Sequence, residues 1–287
     1  MTWHPSRVLQ TRDSRIVAGV AVWVVSVLGL DVGASIAQQH LLGVGTWLVL
    51  GLALHGEDRT TRVQVGVVVV YATIIEYVFA DWLGVYVYRL ENVPAFVPPG
   101  HGLIYLAAFA IGRSVWARRS ARWLVPTALT LGGCWAVWGV TLSPQQDLLG
   151  AWWFVCLLLF AWKGRSPLLY AGAFLVVSYL ELVGTSLGTW TWSTEDPTGL
   201  LSIGNPPSGI AGGYAFFDAA ALLVAPRLLA GWDARGRRGS ADGDLSAGHA
   251  GVSDGQRSIG AADPAAAQNQ ATAVSSEVVS SASSRSS

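Results

Sequence analysis

Charge is what this sequence has least of. Only 13% of its residues are Asp, Glu, Lys or Arg, about half the share of an ordinary globular protein. The formal net charge is +0, and no basic, aromatic-bearing patch gives the footprint of a nucleic-acid binder. Cysteine is nearly missing too. Cys134 and Cys156 both fall inside apolar runs, so neither reads as a disulfide staple, and both are expected to be small buried hydrophobes. No close group of His, Cys and carboxylates has metal-ligand spacing, and no cofactor is expected. A cleavable signal peptide is also missing from the expectation. The first apolar run, 16–36, exceeds the ~7–15 residues of a signal-peptide core, so it reads as a first helix that stays.

What remains is apolar. Hydrophobic residues make up 52% of the chain, with 14 Trp and 8 Tyr, several near helix ends, where such rings anchor a bilayer protein. The pattern predicts an all-α polytopic membrane bundle of about eight spanning helices. They read at about 16–37, 41–55, 63–85, 102–117, 123–142, 148–162, 167–187 and 210–230. The second and sixth are short for a full span and call for extension into their flanks or a thinned bilayer.

Arg and Lys set the orientation. Arg7, Arg12 and Arg15 precede the first helix, and Arg59 and Arg62 lie between the second and third. Arg113, Arg118, Arg119 and Arg122 lie between the fourth and fifth, Lys163 and Arg165 between the sixth and seventh, and Arg227, Arg235, Arg237 and Arg238 close the last. All of these fall on one side of an eight-helix bundle, with Arg89 alone on the other. Both termini are therefore expected in the cytoplasm and the chain in the cell inner membrane, with the connections 86–101 and 188–209 facing outward.

The two halves read as copies. Leu41-Leu42-Gly43 matches Leu148-Leu149-Gly150, Glu76 matches Glu181, and Leu83-Gly84-Val85-Tyr86-Val87-Tyr88 matches Leu187-Gly188-Thr189-Trp190-Thr191-Trp192. Pro98-Pro99-Gly100-His101-Gly102 then matches Pro206-Pro207-Ser208-Gly209. An offset near ~105 residues held over four landmarks predicts tandem four-helix repeats, parallel in the membrane. The expected organisation is an N-terminal segment 1–14, repeats at 15–117 and 118–230, and a tail at 231–287. From 239 onward the chain is rich in Ser, Ala and Gly without aromatics, so it is expected to be disordered.

Acids inside apolar helices carry the functional reading. A central carboxylate costs about 2.5–3.5 kcal/mol to insert, and each one needs a partner, a water cavity or a proton. Glu76, Glu181 and Asp218 are the candidate catalytic acids, expected to face one cavity in the outer half of the bundle, with His101 at its rim as a proton relay. The alternative is that Glu76 and Glu181 only hydrogen-bond across the repeat axis. Asp31 is expected to be satisfied by Gln38 or Gln39. Pro98-Pro99-Gly100-His101 and Asn205-Pro206-Pro207-Ser208 stand where helices begin, with Ser208 read as a cap. Tyr86, Tyr88, Trp190 and Trp192 read first as interfacial anchors; the other reading is an aromatic wall facing a carbocation or polyene. On that second reading Tyr88 and Trp192 contact substrate, together with Asn205 and Arg89. For Arg89 the competing expectation is a local ion pair with Glu91.

Glu76, then Leu83-Gly84-Val85-Tyr86-Val87-Tyr88, then Val93-Pro94 and Val97-Pro98, resembles a pattern in membrane carotenoid-biosynthesis proteins of the bisanhydrobacterioruberin hydratase type. Glu181 to Trp192 repeats it with Trp for Tyr. The resemblance covers some forty residues per half, and membrane-embedded terpene cyclases are a looser likeness. It implies a multispanning enzyme acting on a long isoprenoid, with Glu76 and Glu181 as its acids. The first expectation is thus an enzyme doing acid–base chemistry (hydration, cyclisation or isomerisation) on an isoprenoid lipid. A proton-coupled transporter built from repeats, or a non-catalytic membrane scaffold, are the alternatives.

Overall fold

A computed structural model describes the backbone of residues 5–250 and the side chains of residues 11–235. The helices are α1 (Pro5–Asp31), α2 (Ile36–Leu54), α3 (Arg59–Glu76), α4 (Val97–Arg113), α5 (Val115–Arg119), α6 (Ala121–Thr141), α7 (Leu148–Lys163), α8 (Pro167–Ser186) and α9 (Ala211–Ala250). Two three-residue strands, β1 (Tyr86–Tyr88) and β2 (Trp190–Trp192), pair antiparallel. The strands depart from the all-helical expectation.

Among the described residues, six helical stretches are long and apolar enough to cross a membrane: Thr11–Asp31, Ile36–Leu54, Arg59–Trp82, Ala121–Thr141, Pro167–Ser186 and Ala211–Arg235. The apolar α7 has 16 residues and α4 has 17. At 1.5 Å per residue these reach only about 25 Å, short of a ~30 Å hydrocarbon core. Large apolar side chains stand outward on the long helices, among them Leu30, Leu48, Leu52, Trp123 and Val137. Such a surface suits lipid and not water.

The core runs along α4. Twelve of its residues are buried, on every face, and an apolar helix buried all round belongs in the middle of a bundle. It packs against α1, α2, α3 and, most extensively, α8. Small residues permit the closest crossings. A Cβ on Gly212 of α9 would lie 1.8 Å from the Trp153 carbonyl oxygen of α7, so those two backbones touch.

At one end of α4, Arg113 donates to Asp13 at 2.6 and 2.8 Å and to both oxygens of Glu57 at 2.7 Å. Arg12 adds a further ion pair with Glu57 at 3.1 Å. This cluster ties α1, α4 and the α2–α3 turn together. Sequence reading used Arg113 only as a marker of sidedness.

Both chain ends differ from the expectation. No proline interrupts residues 6–93, and α1 starts at Pro5, a residue whose fixed φ suits a first helical turn. Likewise α9 continues to Ala250, past the expected end near 230, because no proline follows Pro226 until Pro264. The rest of the expected tail, 251–287, lies outside the described residues.

Candidate functional site

Helix α3 ends by widening into a π-turn, Tyr77–Trp82, a feature that often stands at functional sites. The chain then turns at Gly84 (φ 62°) into β1, and α8 turns at Gly188 (φ 70°) into β2. A left-handed φ suits glycine because it has no Cβ to clash. In both places the turn folds the strand back toward the acid that precedes it.

In β1 and β2 the outer residues point inward and the middle one outward. Tyr86 stands opposite Trp192 and Tyr88 opposite Trp190. Both phenols donate to Glu76 Oε2 at 2.8 Å, and both indoles donate to Glu181 Oε2, at 3.0 and 3.1 Å. The rings are therefore buried donors to the two acids, which corrects the reading of them as interfacial anchors. A lone intramembrane acid needs donors, and an aromatic–x–aromatic strand supplies two on one face.

His101, in the first turns of α4, reaches Glu76 Oε1 with Nε2 at 2.7 Å. It lies inside the site and not at its rim. Its ring stacks on Tyr214 at 5.2 Å and meets Phe217 edge-on at 5.6 Å. Glu76 thus has three hydrogen-bond partners that can exchange protons: two phenols and an imidazole. Glu181 has two indole N–H donors, which do not titrate. Among the described residues its Oε1 has no hydrogen-bond partner.

Glu76, Glu181, His101, Tyr88 and Trp192 all line one cavity of about 280 Å³. The two carboxylates are near enough to act on each other electrostatically. The rest of the wall is aromatic and aliphatic, with Tyr71, Phe79, Tyr86, Phe96, Trp153, Trp190, Tyr214 and Phe217 prominent. Trp192 packs on Tyr86 at 4.5 Å and on Trp153 at 5.7 Å. Trp23 enters from α1, its indole donating to Thr46 at 3.2 Å.

Three predicted site residues do not line this cavity. Asp218 is buried a position beyond Phe217, its Oδ2 without a partner. Arg89 donates to the Ala34 carbonyl at 2.7 Å and pairs with Asp31 at 3.4 Å, so its ion-pair partner is Asp31 and not Glu91. Gln39 completes that cluster by donating to Asp31 at 2.7 Å, as expected. Asn205 accepts from the Trp192 amide at 3.2 Å and so holds β2 in place.

Ser208 is not the cap foreseen. Its amide donates to Asp147, as do those of Gly150 and Gly204, at 2.7, 2.9 and 2.8 Å. The buried Asp147 thereby caps α7 and pins the 204–208 loop. Sequence reading missed it, and it also missed Tyr214, Trp153 and Trp23 as cavity residues. Tyr214 had one available signal, since it precedes Asp218 by one helical turn. Among the described residues no group of His, Cys, Asp and Glu is arranged to hold a metal ion.

The fold and site define a helical membrane protein with a buried, aromatic-walled cavity carrying two acids. The chain matches no protein-family model, no curated protein and no solved structure.

Proposed function

We propose that this protein is an integral membrane enzyme that performs acid–base chemistry on an isoprenoid or carotenoid-like lipid. One observation carries the reading: two carboxylates share an apolar cavity, one held by titratable donors and the other by non-titratable ones. Glu76 is the acid. It gives its proton to one carbon of a substrate double bond, and the electron pair of that bond forms the new C–H bond. The positive charge left on the neighbouring carbon faces the rings of Tyr86, Trp192 and Trp153, whose π faces favour cations. Glu181 is the base. Its Oε1 takes a proton from an adjacent carbon in cyclisation or isomerisation, or from the attacking water in hydration.

The cavity suits the end of a chain. About 280 Å³ lies just below the ~300–1,000 Å³ of drug-sized ligand sites. It takes a terminal group of a polyene and leaves the remainder among the lipid tails.

In the same reading all eight long helices cross the cell inner membrane, with both termini cytoplasmic, as repeats 15–117 and 118–230. The antiparallel pairing of β1 with β2 supports it. Equivalent strands pair that way about a two-fold axis, the relation expected of parallel repeats around the membrane normal. That pairing also favours a second reading, a proton-coupled carrier with its acids at the repeat interface.

Lipid and pigment profiling of a deletion strain separates the two. For the enzyme, a precursor accumulates and an isomer, cyclised or hydrated product disappears, and the gene restores the product but Glu76→Gln does not. Unchanged lipids, with loss of uptake or export of a small solute, overturn the enzyme in favour of the carrier.

A further inference from the structure

At and beside the cavity wall, three buried polar atoms stand without a protein partner: His101 Nδ1, Tyr105 Oη and Asp218 Oδ2. Their residues are 6%, 2% and 4% exposed. They belong to α4 and α9, which meet where His101 contacts Tyr214 and Phe217. His101 and Tyr105 are four residues apart on α4, and Tyr214 and Asp218 four apart on α9. His101 stacks on Tyr214 at 5.2 Å, and Asp218 lies within electrostatic reach of the Tyr105 and Tyr170 phenols. The site therefore has two layers about one ~5.4 Å turn apart. His101 and Tyr214 line the cavity, and Tyr105 and Asp218 each follow a cavity-lining residue, Ile104 and Phe217, by one position.

Orphaned polar groups are costly to bury, and an embedded carboxylate adds to that cost. Three in adjacent turns need an explanation beyond packing. Asp218 is not half of an ion pair with Arg113. That guanidinium is already held by Asp13 and Glu57, and the Phe109 ring stands between, stacked on Tyr105 at 6.0 Å and under Arg113 at 5.1 Å. The titratable groups within electrostatic reach of Asp218 are Tyr105 from α4 and Tyr170 from α8.

We propose that Tyr105 and Asp218 form an inner proton-holding pair that recharges Glu76 through His101. Asp218 is then a positioning residue that never touches substrate. The inference rests on Glu76 as the acid. After Glu76 has protonated the substrate it is a carboxylate. The proton on Asp218 passes, with Tyr105 giving one and receiving one, to His101 Nδ1 through bridging water. The Nε2 proton of His101 passes to Glu76 Oε1. The imidazole changes tautomer, Glu76 is again an acid, and Asp218 is left as a carboxylate that takes its next proton from water.

Nitrogen-15 NMR of the full-length protein in lipid nanodiscs tests this without any substrate. The chain has 5 His, and His101→Gln identifies the signals of His101. Asp218→Asn and Tyr105→Phe are each expected to move the His101 Nδ1 and Nε2 resonances by changing the tautomer balance, and Asp218→Glu to restore the wild-type pattern. Tyr105→Phe keeps the ring on Phe109, so it remains informative if Asp218→Asn fails to fold. Unmoved His101 resonances in a folded variant overturn the relay. The acid assignment is judged separately by turnover in Glu76→Gln. Moved resonances with full turnover there keep the pair and remove the acid, and unmoved resonances with lost turnover do the reverse.

Discussion

Replacing Glu76 by Gln separates holding the fold from giving a proton, because its three hydrogen-bond partners are shared unequally. Oε2 takes both phenols and Oε1 faces His101. A glutamine has one acceptor oxygen. If that oxygen keeps the phenols, the amide nitrogen faces His101, whose Nε2 must then accept and whose proton moves to Nδ1. The cost is one reshaped hydrogen bond, about 1 kcal/mol, rising to about 3 if a donor is orphaned. For a chain of this size that lowers Tm by roughly 2–4 °C per kcal/mol. Losing a general acid costs turnover about 10²–10⁴-fold, far more than that instability explains. Glu181→Gln is gentler on the fold, since both indoles share one oxygen that a glutamine carbonyl replaces. It should leave Tm within about 3 °C and still lose the base. The assay pairs the Tm of purified protein in nanodiscs with product formation in membranes, read by mass spectrometry of lipid extracts. Turnover of Glu76→Gln close to wild type refutes the acid assignment. Loss of folded protein in proportion to loss of product refutes it too, by making Glu76 structural.

Gly184→Ala tests how the aromatic strand is seated. An added Cβ would lie 1.9 Å from the Trp190 ring, so the indole must leave Glu181, and turnover should fall with a blue- or red-shifted Trp emission; wild-type turnover would refute the link. Arg113→Ala strands two buried carboxylates, Asp13 and Glu57, and should destabilise the protein by on the order of 3 kcal/mol, visible as a Tm drop that Arg113→Lys only partly repairs. Asp196, outside the spanning helices, is held down to about 2 by the Thr198 hydroxyl and then by the Leu201 amide, from an ordinary 3.8. A carboxyl lowered on folding stabilises above its unfolded pKa and loses that effect as pH falls through the folded one. The Leu200 and Leu201 amides should therefore stay protected from hydrogen exchange from neutral pH down to about 3, and opening near pH 5 would contradict the loop geometry. Reporter fusions after Arg89 and after Asp196 should both report the outer side, and a cytoplasmic signal at either would break the eight-span topology.

Hydropathy alone located every long helix, because an apolar run in lipid must satisfy its own backbone. It also marked Glu76, Glu181 and Asp218 as anomalies, since a carboxylate in such a run always needs an explanation. The recurrence of the Glu–Gly–aromatic motif in the two halves, with nearly the same spacing, was legible in the same way. What each acid meets was not. That Tyr86 and Tyr88 turn back onto Glu76 depends on a left-handed turn at Gly84 and on β1 finding β2 about a hundred residues away. That Asp218 stays out of the cavity while Phe217 beside it lines the wall depends on how α9 is rotated in the bundle. Arg89 was free by sequence to pair with Glu91, two residues on, and instead crosses to Asp31 at the end of α1. Periodicity records how far a side chain is from its neighbours along one helix. Which helix faces it is decided by packing, where close crossings such as Gly212 on Trp153 fix the rotation of each helix and with it the partner of every buried charge.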